Sequence, residues 1–329
     1  MTRTSSVRIS GTGSYLPSKV LTNQDLEKMV DTSDEWILER TGIRERRISG
    51  ADQAASDLAY EAAIHALDDA GITGKDLDAI LVGTVSSDYL FPSTACILQE
   101  RLGATAAFAY DFAAACSGFV YGLAQARAFI ASGQCRRVLV IGVEQLSKLV
   151  DWTDRNTCVL FGDGAGAAVL EACEAGTGLL SVYLRSDGGM ADIICLPAGG
   201  SRTPLTPERL AARENKIRMR GNETFKLAVK AMEQALVEAL REAHIRQDEL
   251  DLLIPHQANV RIIQALGRRL EVPEERVYVN LEKYGNTSAA TIPIAIDEAR
   301  RSGRIRHGSL VAVAAFGSGA TWGASIIRF

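Results

Sequence analysis

The second half of this sequence repeats the order of features in the first half. Cys116 opens a run of small residues that ends at Ser132-Gly133, and Asn286, 170 positions later, opens a similar run that ends at Ser302-Gly303. The apolar segments 77–82 and 250–255 form a second pair, 173 positions apart. A duplicated chain predicts two helix starts near one pseudo-twofold axis, one carrying a thiol and the other a carboxamide.

Each half shows the same alternation of helical and strand patterns. Amphipathic helices are predicted over residues 55–70 and 225–243, where apolar residues recur at helical spacing. Apolar strands are predicted at residues 138–141 and 310–313, and glycine-rich hairpins at 161–166 and 316–321 lead into the strands 168–170 and 325–327. Such alternation predicts an α/β fold with mixed sheets buried under helices. We expect five layers, α-β-α-β-α, with the small-residue helices that start near Ser117 and Thr287 at the centre.

The repeat divides the chain into two similar halves, residues 1–174 and 175–329. Segments 21–47 and 84–95 have no counterpart in the repeat and are predicted to cap a site or to contribute to a dimer interface. The long polar segment 197–216 contains three prolines and three arginines and is predicted to be an exposed connection between the halves.

Composition narrows the classes of function. A net charge of −4 and a pI near 5.7 argue against a basic surface for nucleic acid. No apolar run reaches the roughly 18 residues that a membrane span needs. The polar first residues do not resemble a signal peptide, and the six cysteines show no CxxC pairing, so reduced thiols in the cytoplasm are expected. Without HExxH or paired CxxC motifs, no metal site is expected.

Three residues carry the chemistry that the repeat suggests. Cys116 stands just before a predicted helix, where backbone N–H groups and the helix dipole favour a thiolate. His256 follows the apolar strand 250–255, at the end of a strand where α/β sites usually form. Taken singly, Cys116 suits a buried structural cysteine, His256 a satisfied core histidine, and Asn286 a helix N-cap. Their shared place in the repeat favours a site.

Together these residues resemble a known family. Residues 114–118 (AACSG), 255–259 (PHQAN) and 284–288 (YGNTS) are similar to the Cys, His and Asn motifs of β-ketoacyl-acyl-carrier-protein synthase III, in the thiolase superfamily. Further matches lie at residues 34–36, 39–43, 91–93, 161–166, 221–223 and 321–323, so the resemblance runs from about Val7 to Phe329.

The resemblance implies a homodimeric enzyme that initiates type II fatty-acid synthesis. It would condense a short acyl-CoA, often acetyl-CoA, with malonyl-acyl carrier protein to give β-ketoacyl-acyl carrier protein, CO2 and CoA. Cys116 would carry the acyl group, while His256 and Asn286 stabilise the enolate. The oxyanion would lie against the backbone N–H groups of Cys116 and Ser318. No cofactor is implied, because decarboxylation itself generates the nucleophile.

The resemblance also assigns binding residues. The CoA contacts would be Trp36, Arg40, Thr41, Arg155 and Asn259. The acyl pocket would be lined by Phe91, reaching across the dimer, Phe161 and Met219. The carrier protein, which is acidic, would dock on Lys226, Gln257, Arg261, Arg268 and Arg269. Each of the four cations, taken alone, also suits a solvated helix face.

Rival functions remain to be weighed. A thiolase would need a second cysteine where residues 316–319 read Phe-Gly-Ser-Gly, and an elongating ketosynthase would have a histidine in place of Asn286. A hydroxymethylglutaryl-CoA synthase would need a glutamate in the loop before Phe91, where Asp88 is the nearest substitute. A ketosynthase for quinolone or polyketide starters, with the same Cys-His-Asn set, is the main alternative. The segment 162–167 fits a relaxed dinucleotide-binding signature, but the strand pattern after it disfavours that function.

Overall fold

The computed structural model describes residues 6–329. The elements of the first half are β1 (Ser6–Tyr15), β2 (Lys19–Thr22), α1 (Asn23–Glu27), α2 (Asp34–Thr41), β3 (Glu45–Ile48), α3 (Ala55–Ala70), β4 (Ala79–Gly83), α4 (Thr94–Arg101), β5 (Phe108–Phe112), α5 (Gly118–Ala131), β6 (Arg137–Gln145) and β7 (Asp163–Cys173). The remaining elements are β8 (Gly178–Ser186), β9 (Ile194–Cys195), α6 (Pro207–Ala211), β10 (Arg218–Met219), α7 (Gly221–Ala243), β11 (Leu252–Pro255), α8 (Val260–Arg269), α9 (Leu281–Tyr284), α10 (Thr291–Arg301), β12 (Leu310–Gly317) and β13 (Thr321–Arg328).

Two large sheets share one topology. The first has the strand order β1-β7-β6-β4-β5 and the second the order β8-β13-β12-β11. The strand pairs β4–β6 and β11–β12 are parallel and correspond to each other. The neighbouring pairs β6–β7 and β12–β13 are antiparallel and also correspond. At the place of β5, the second sheet has a single parallel bridge between Leu253 and Val277. The equal strand orders confirm the predicted duplication.

The core consists of three apolar layers around these sheets. One cluster joins α3 to the outer face of the first sheet through residues such as Leu58 and Ile80. A second joins α7 and α8 to the outer face of the second sheet, and includes Leu236 and Ile326. A central cluster contains α5, α10 and the inner faces of both sheets. The five predicted layers are therefore confirmed.

The repeat has a different register from the one expected at Cys116. Ala79 pairs with Val138, and Leu252 pairs with Val311, so the strands correspond at an offset of 173. Short 3-10 turns precede both central helices, at Ala115–Ser117 and Ser288–Ala290, also 173 apart, and each begins with a left-handed residue, φ 45° and 49°. Cys116 therefore corresponds to Ala289, not to Asn286. The Ser-Gly ends still align at 170, because α10 has 11 residues and α5 has 14.

The first glycine-rich segment is not a hairpin. Gly164 and Gly166 lie inside β7, and residues 146–162 form the connection from β6. A Cβ on Gly166 would lie 2.8 Å from the Cβ of Pro293, so glycine here lets α10 approach the sheet. The C-terminal segment does form the predicted hairpin, between β12 and β13.

The polar segment 197–216 lies between β8 and α7 rather than between the halves. Most of its residues are exposed, and it includes α6. The predicted division at residue 174 falls in the turn between β7 and β8. No helix in the described range, residues 6–329, is long and apolar enough to cross a bilayer.

Candidate active site

Cys116 lies where the two halves meet. It is the middle residue of the turn Ala115–Ser117, and the twin turn Ser288–Ala290 packs against it. A Cβ on Gly118 would lie 3.1 Å from the Cβ of Ala289, so only a small residue lets the turns approach this closely. The Cys116 thiol lies beside the Ser288 hydroxyl. The residue is partly accessible to solvent, yet burial raises the pKa of its thiol to about 12, and the nearby carboxylate of Glu144 adds to this rise.

The hairpin between β12 and β13 closes over Cys116. A Cβ on Gly317 would lie 2.7 Å from the Cys116 nitrogen, so glycine permits the contact. The Thr321 hydroxyl donates to the carbonyl of Ala114 at 2.8 Å. In return the Ser117 hydroxyl donates to the carbonyl of Thr321 at 2.9 Å. The hairpin turn, with Ser318 at its start, is thereby fixed beside the nucleophile.

His256 is held at the end of β11. Its backbone N–H donates to the Ala314 carbonyl at 2.7 Å, and its Nδ1 lies 2.7 Å from the Thr291 hydroxyl. The residue is 3% exposed, and burial lowers the pKa of its imidazole to about 3. The ring is therefore neutral at physiological pH, with one nitrogen protonated.

Asn286 is oriented by its own turn. Its backbone N–H donates to the Leu160 carbonyl at 2.8 Å, and its side-chain oxygen accepts the Ser288 N–H at 2.8 Å. Because the oxygen is occupied, the amide nitrogen Nδ2 is free to act as the donor toward another group.

Ser288 connects the three predicted catalytic residues. Its hydroxyl contacts the Cys116 thiol, its N–H bonds Asn286, and its carbonyl lies 3.1 Å from the Thr291 hydroxyl that holds His256. The structure therefore brings Cys116, His256 and Asn286 to one place.

Sequence reasoning missed Ser288, Thr291 and a buried carboxylate beside them. The Ser288 hydroxyl donates to Oε1 of Glu144 at 3.0 Å. Glu144 is fully buried in β6, and burial raises its carboxyl pKa to about 7. Hydrogen bonds to the carboxylate, the strongest of them from Ser86, lower the pKa and partly offset this rise. A signal was present, since Glu144 is the one acidic residue in the apolar run 138–146.

The predicted CoA residues separate into two groups. The guanidinium groups of Arg40 and Arg155 lie 4.7 Å and 5.2 Å from the ring centroid of Trp36, so these three share one surface. The Thr41 hydroxyl donates to the Ile37 carbonyl at 2.7 Å and is buried. Asn259 caps α8 and donates to the Arg40 carbonyl at 2.9 Å. Asn259 thus links α8 to α2, whereas Thr41 is bonded within α2.

The predicted acyl-pocket residues do not all lie together in this chain. Phe161 is 5% exposed and packs in a cluster with Ile217. Met219 pairs with Ile194, whose carbonyl accepts the hydroxyl of Ser318. Phe91 does not join them within this chain, since it is 85% exposed on the loop between β4 and α4.

Four of the five predicted carrier-docking residues are exposed. These are Lys226 on α7 and Arg261, Arg268 and Arg269 on α8, with Arg269 paired to Glu233 at 2.5 Å. Gln257 is 1% exposed, and its amide bonds the backbone of Pro255, Tyr278 and Asn280. It positions the chain after β11 and is not available for docking, contrary to the expectation.

The sequence matches family models over the segments that contain this site. A model described as 3-oxoacyl-[acyl-carrier-protein (ACP)] synthase III matches residues 110–188, and a model of the C terminal of that enzyme matches residues 240–329. A β-ketoacyl-[acyl-carrier-protein] synthase III from Caldanaerobacter subterraneus subsp. tengcongensis is 55% identical over 321 residues, covering 98% of this chain and 97% of the relative. The chain belongs to the β-ketoacyl-acyl-carrier-protein synthase III family. The resemblance drawn from its motifs is thus confirmed, and the chain is an acyltransferase.

Solved structures of β-ketoacyl-acyl-carrier-protein synthase III have the same fold. The enzyme from Aquifex aeolicus VF5 is 47% identical, with a TM-score of 0.91 over 98% of this chain and 100% of that one. The priming β-ketosynthase from the R1128 polyketide biosynthetic pathway is 32% identical, with a TM-score of 0.93 over 100% of this chain and 98% of that one. Within residues 6–329 of this synthase III family member, no group of three or more His, Cys, Asp or Glu side chains is arranged to hold a metal ion.

Proposed function

We propose that this enzyme condenses a short acyl-CoA, in the first instance acetyl-CoA, with malonyl-acyl carrier protein. The products are β-ketoacyl-acyl carrier protein, CO2 and CoA, and the reaction initiates type II fatty-acid synthesis. The observation that carries this proposal is the convergence of Cys116, His256 and Asn286 on Ser288. The family of the chain supports the same reaction.

In the first half-reaction, the Cys116 sulfur attacks the thioester carbonyl of the acyl-CoA. A new C–S bond forms, the bond to the CoA sulfur breaks, and CoA leaves as a thiolate that takes up a proton. The backbone N–H groups of Cys116 and Ser318 are the proposed donors to the oxyanion. Gly317 supports this role, because it brings the hairpin into contact with the Cys116 nitrogen. Losing one such donor typically costs about 2.7–4 kcal/mol in the transition state.

In the second half-reaction, loss of CO2 from the malonyl unit leaves an enolate. His256 and the Nδ2 of Asn286 donate to its oxygen, and the carbanion attacks the acyl group on Cys116. This role requires the proton of neutral His256 to be on Nε2. The Thr291 hydroxyl must then donate to Nδ1 at 2.7 Å rather than to the Ser288 carbonyl at 3.1 Å. Burial supports the role, since a low imidazole pKa keeps the ring neutral while burial strengthens each hydrogen bond. The chemistry needs no metal or organic cofactor.

The substrates have proposed contacts on the surface. Trp36 would stack on the adenine of CoA, and Arg40 and Arg155, which flank its ring, would bind the phosphates. Lys226, Arg261, Arg268 and Arg269 would receive the acidic carrier protein. Asn259 would act indirectly, by fixing α8 against α2, and Thr41 by a hydrogen bond inside α2.

We further propose a homodimer in the cytoplasm. Leu90 and Phe91 are 89% and 85% exposed on the loop between β4 and α4, which is costly for apolar side chains in a monomer. In the dimer, Phe91 would reach the acyl pocket of the partner. All six cysteines are free thiols, which suits a reducing compartment.

Intact-protein mass spectrometry after incubation with a panel of acyl-CoAs tests this function. The wild type should gain one acyl adduct, and C116A should gain none. C173A is the matched control, because Cys173 is also a partly accessible thiol but lies at the end of β7. An acyl adduct on C116A, or no adduct on the wild type from any acyl-CoA, would refute the proposed nucleophile or donor.

A specialised-metabolite ketosynthase that condenses polyketide or quinolone starters is the second candidate. The match over 100% of this chain to a polyketide priming β-ketosynthase favours it. The acyl-CoA panel separates the two, since preferential loading of acyl chains longer or more branched than acetyl would favour the second. A carrier-protein comparison with malonyl loaded on a fatty-acid or a polyketide carrier completes the test.

A further inference from the structure

Glu144 is a buried carboxylate that the proposed mechanism does not use. Its oxygens accept hydrogen bonds from the N–H of Val85 at 3.2 Å, from the hydroxyl of Ser86 at 2.5 Å and from the hydroxyl of Ser288 at 3.0 Å. A carboxylate without solvent is costly to keep in a protein interior. Its retention beside the nucleophile needs an explanation.

The hydrogen bonds around Ser288 have a direction. The Ser288 hydroxyl gives its only proton to Glu144, so its oxygen is an acceptor toward Cys116. The Cys116 thiol lies beside this oxygen, so its proton can pass to it. This arrangement forms a continuous path for a proton, from the Cys116 sulfur to the Ser288 oxygen and on to the Glu144 carboxylate.

We propose that Glu144 takes up the proton of the Cys116 thiol through the Ser288 hydroxyl when Cys116 is acylated, and returns it when the condensation releases Cys116. Ser288, which contacts the reacting sulfur, is then a catalytic residue. Glu144 acts through it as a positioning residue and proton store. This inference rests on the proposed two-step function.

The proton transfers balance over one turnover. As sulfur attacks the acyl-CoA, the thiol proton moves to the Ser288 oxygen and the Ser288 proton moves to Glu144, while the CoA thiolate takes a proton from solvent. In the condensation, the enolate attacks the acyl carbon and the C–S bond to Cys116 breaks. The Cys116 thiolate then recovers its proton from Glu144 along the same path. One proton is consumed overall, as required when malonyl carboxylate becomes CO2.

The surroundings of Glu144 favour a reversible transfer. Cys116 is the titratable group that approaches it through Ser288. From the adjacent strand β7, Asp163 lies opposite Gln145, but its carboxylate is bound by Ser49 and Ser147 instead. Within the described residues, no Lys or Arg pairs with Glu144. A carboxyl pKa near 7 leaves much of the group ionised at neutral pH, whereas the thiol alone would hardly ionise.

The test measures the two half-reactions separately in the full-length enzyme. Single-turnover acylation by acetyl-CoA is followed by intact mass across pH 5.5–9 for wild type, E144Q, E144D and S288A. Malonyl-carrier decarboxylation is measured in C116A and in C116A combined with E144Q, where no thiol proton is transferred. D163N is the matched control, because Asp163 is also a fully buried carboxylate bound by serine hydroxyls.

The expected result is a loss confined to acylation. E144Q and S288A should slow acylation by roughly 100-fold at neutral pH, within the range of general-base catalysis, and should remove the rise in rate around pH 7. E144D should keep that rise at a reduced rate, and provides the test if E144Q does not fold. D163N should leave the shape of the pH profile unchanged, and decarboxylation in C116A should not change on adding E144Q.

Three outcomes would overturn the relay. One is an E144Q enzyme with the wild-type acylation rate and pH profile, as expected if another group, such as His256, accepts the proton. Another is loss of the pH profile in D163N as well. The third is an equal loss of decarboxylation in the double variant, which would give Glu144 a purely structural role. Failure of the wild type to acylate at all would instead refute the proposed function.

Discussion

Thr291 should control which nitrogen of His256 carries the proton. The His256 ring is neutral and buried, and its Nδ1 lies 2.7 Å from the Thr291 hydroxyl. In T291V the side-chain shape is nearly kept, but Nδ1 loses its partner and the preference for a proton on Nε2 disappears. A neutral hydrogen bond contributes about 0.5–1.5 kcal/mol, and an unsatisfied buried group costs about 1–3 kcal/mol. A loss of about 1–2 kcal/mol corresponds to a condensation rate lowered roughly 5- to 30-fold.

The assay should separate the two steps. Acylation of Cys116 by acetyl-CoA, followed by intact mass, should be nearly unchanged in T291V, because His256 is proposed to act on the malonyl unit alone. Malonyl-carrier decarboxylation should fall by the full factor. T291S retains the hydroxyl and should stay within about twofold of wild type. Decarboxylation at the wild-type rate in a correctly folded T291V enzyme would refute the assignment of the tautomer to Thr291.

Three further predictions follow from the contacts described. A Cβ at Gly142 would lie 2.2 Å from the Ala289 carbonyl oxygen, so G142A should lower the free energy of unfolding by about 2–3 kcal/mol in urea titrations. G188A is the control, because the space around Gly188 is open, and it should change this free energy by no more than about 0.5 kcal/mol. Equal effects of the two substitutions would contradict the close packing of the central turns. Burial raises the carboxyl pKa of Glu144 from 4.5 to about 7, so the wild type should lose up to about 3 kcal/mol of unfolding free energy as pH rises through that range. E144Q should not show this loss when urea unfolding is compared at pH 4.5 and pH 8. The same pH dependence of unfolding free energy in wild type and E144Q would refute the raised pKa. W36A should raise the KM for acetyl-CoA roughly 5- to 10-fold with little change in kcat, while W36F retains most of the affinity; an unchanged KM would remove Trp36 from the CoA site.

Much of the architecture was predictable from periodicity. The helix predicted at residues 55–70 is found at Ala55–Ala70, because its apolar positions recur at helical spacing over four turns. The five layers follow from the duplication. The central helix α10 begins at Thr291, later than predicted, because the left-handed Ser288 first makes a 3-10 turn. The local sequence contains no glycine at that position to signal the change.

The site features that the sequence did not predict share one physical cause. The type of a residue does not show whether its side chain is buried or what it contacts. The family resemblance assigns Gln257 to carrier docking, but its amide satisfies three backbone groups inside the protein. The glycines of segment 161–166 predict a turn, yet Gly164 and Gly166 lie in β7 and allow the approach of α10. Glu144 was overlooked because its role depends on Ser288, a residue 144 positions away in sequence. The roles assigned to Cys116, His256 and Asn286 stay predictions until the proposed assays are done.

Arg46 connects two segments that are far apart in sequence, the segment from β2 to β3 and the connection 146–162. It is fully buried, and its guanidinium donates to the side chain of Asn23 at 2.8 Å and to the carbonyl of Val159 at 2.8 Å, so it spans the segment from β2 to β3 and the connection 146–162. Burial lowers the pKa of Arg46 to about 10, so the guanidinium is still charged at neutral pH. Breaking either contact would leave this buried charge without a hydrogen-bond acceptor, which is energetically costly. The helix that carries Trp36 and the loop that carries Arg155 therefore cannot open independently. In hydrogen exchange, the amides of both segments should open as a single cooperative unit, and the two sides of the proposed CoA surface would then be lost or regained together.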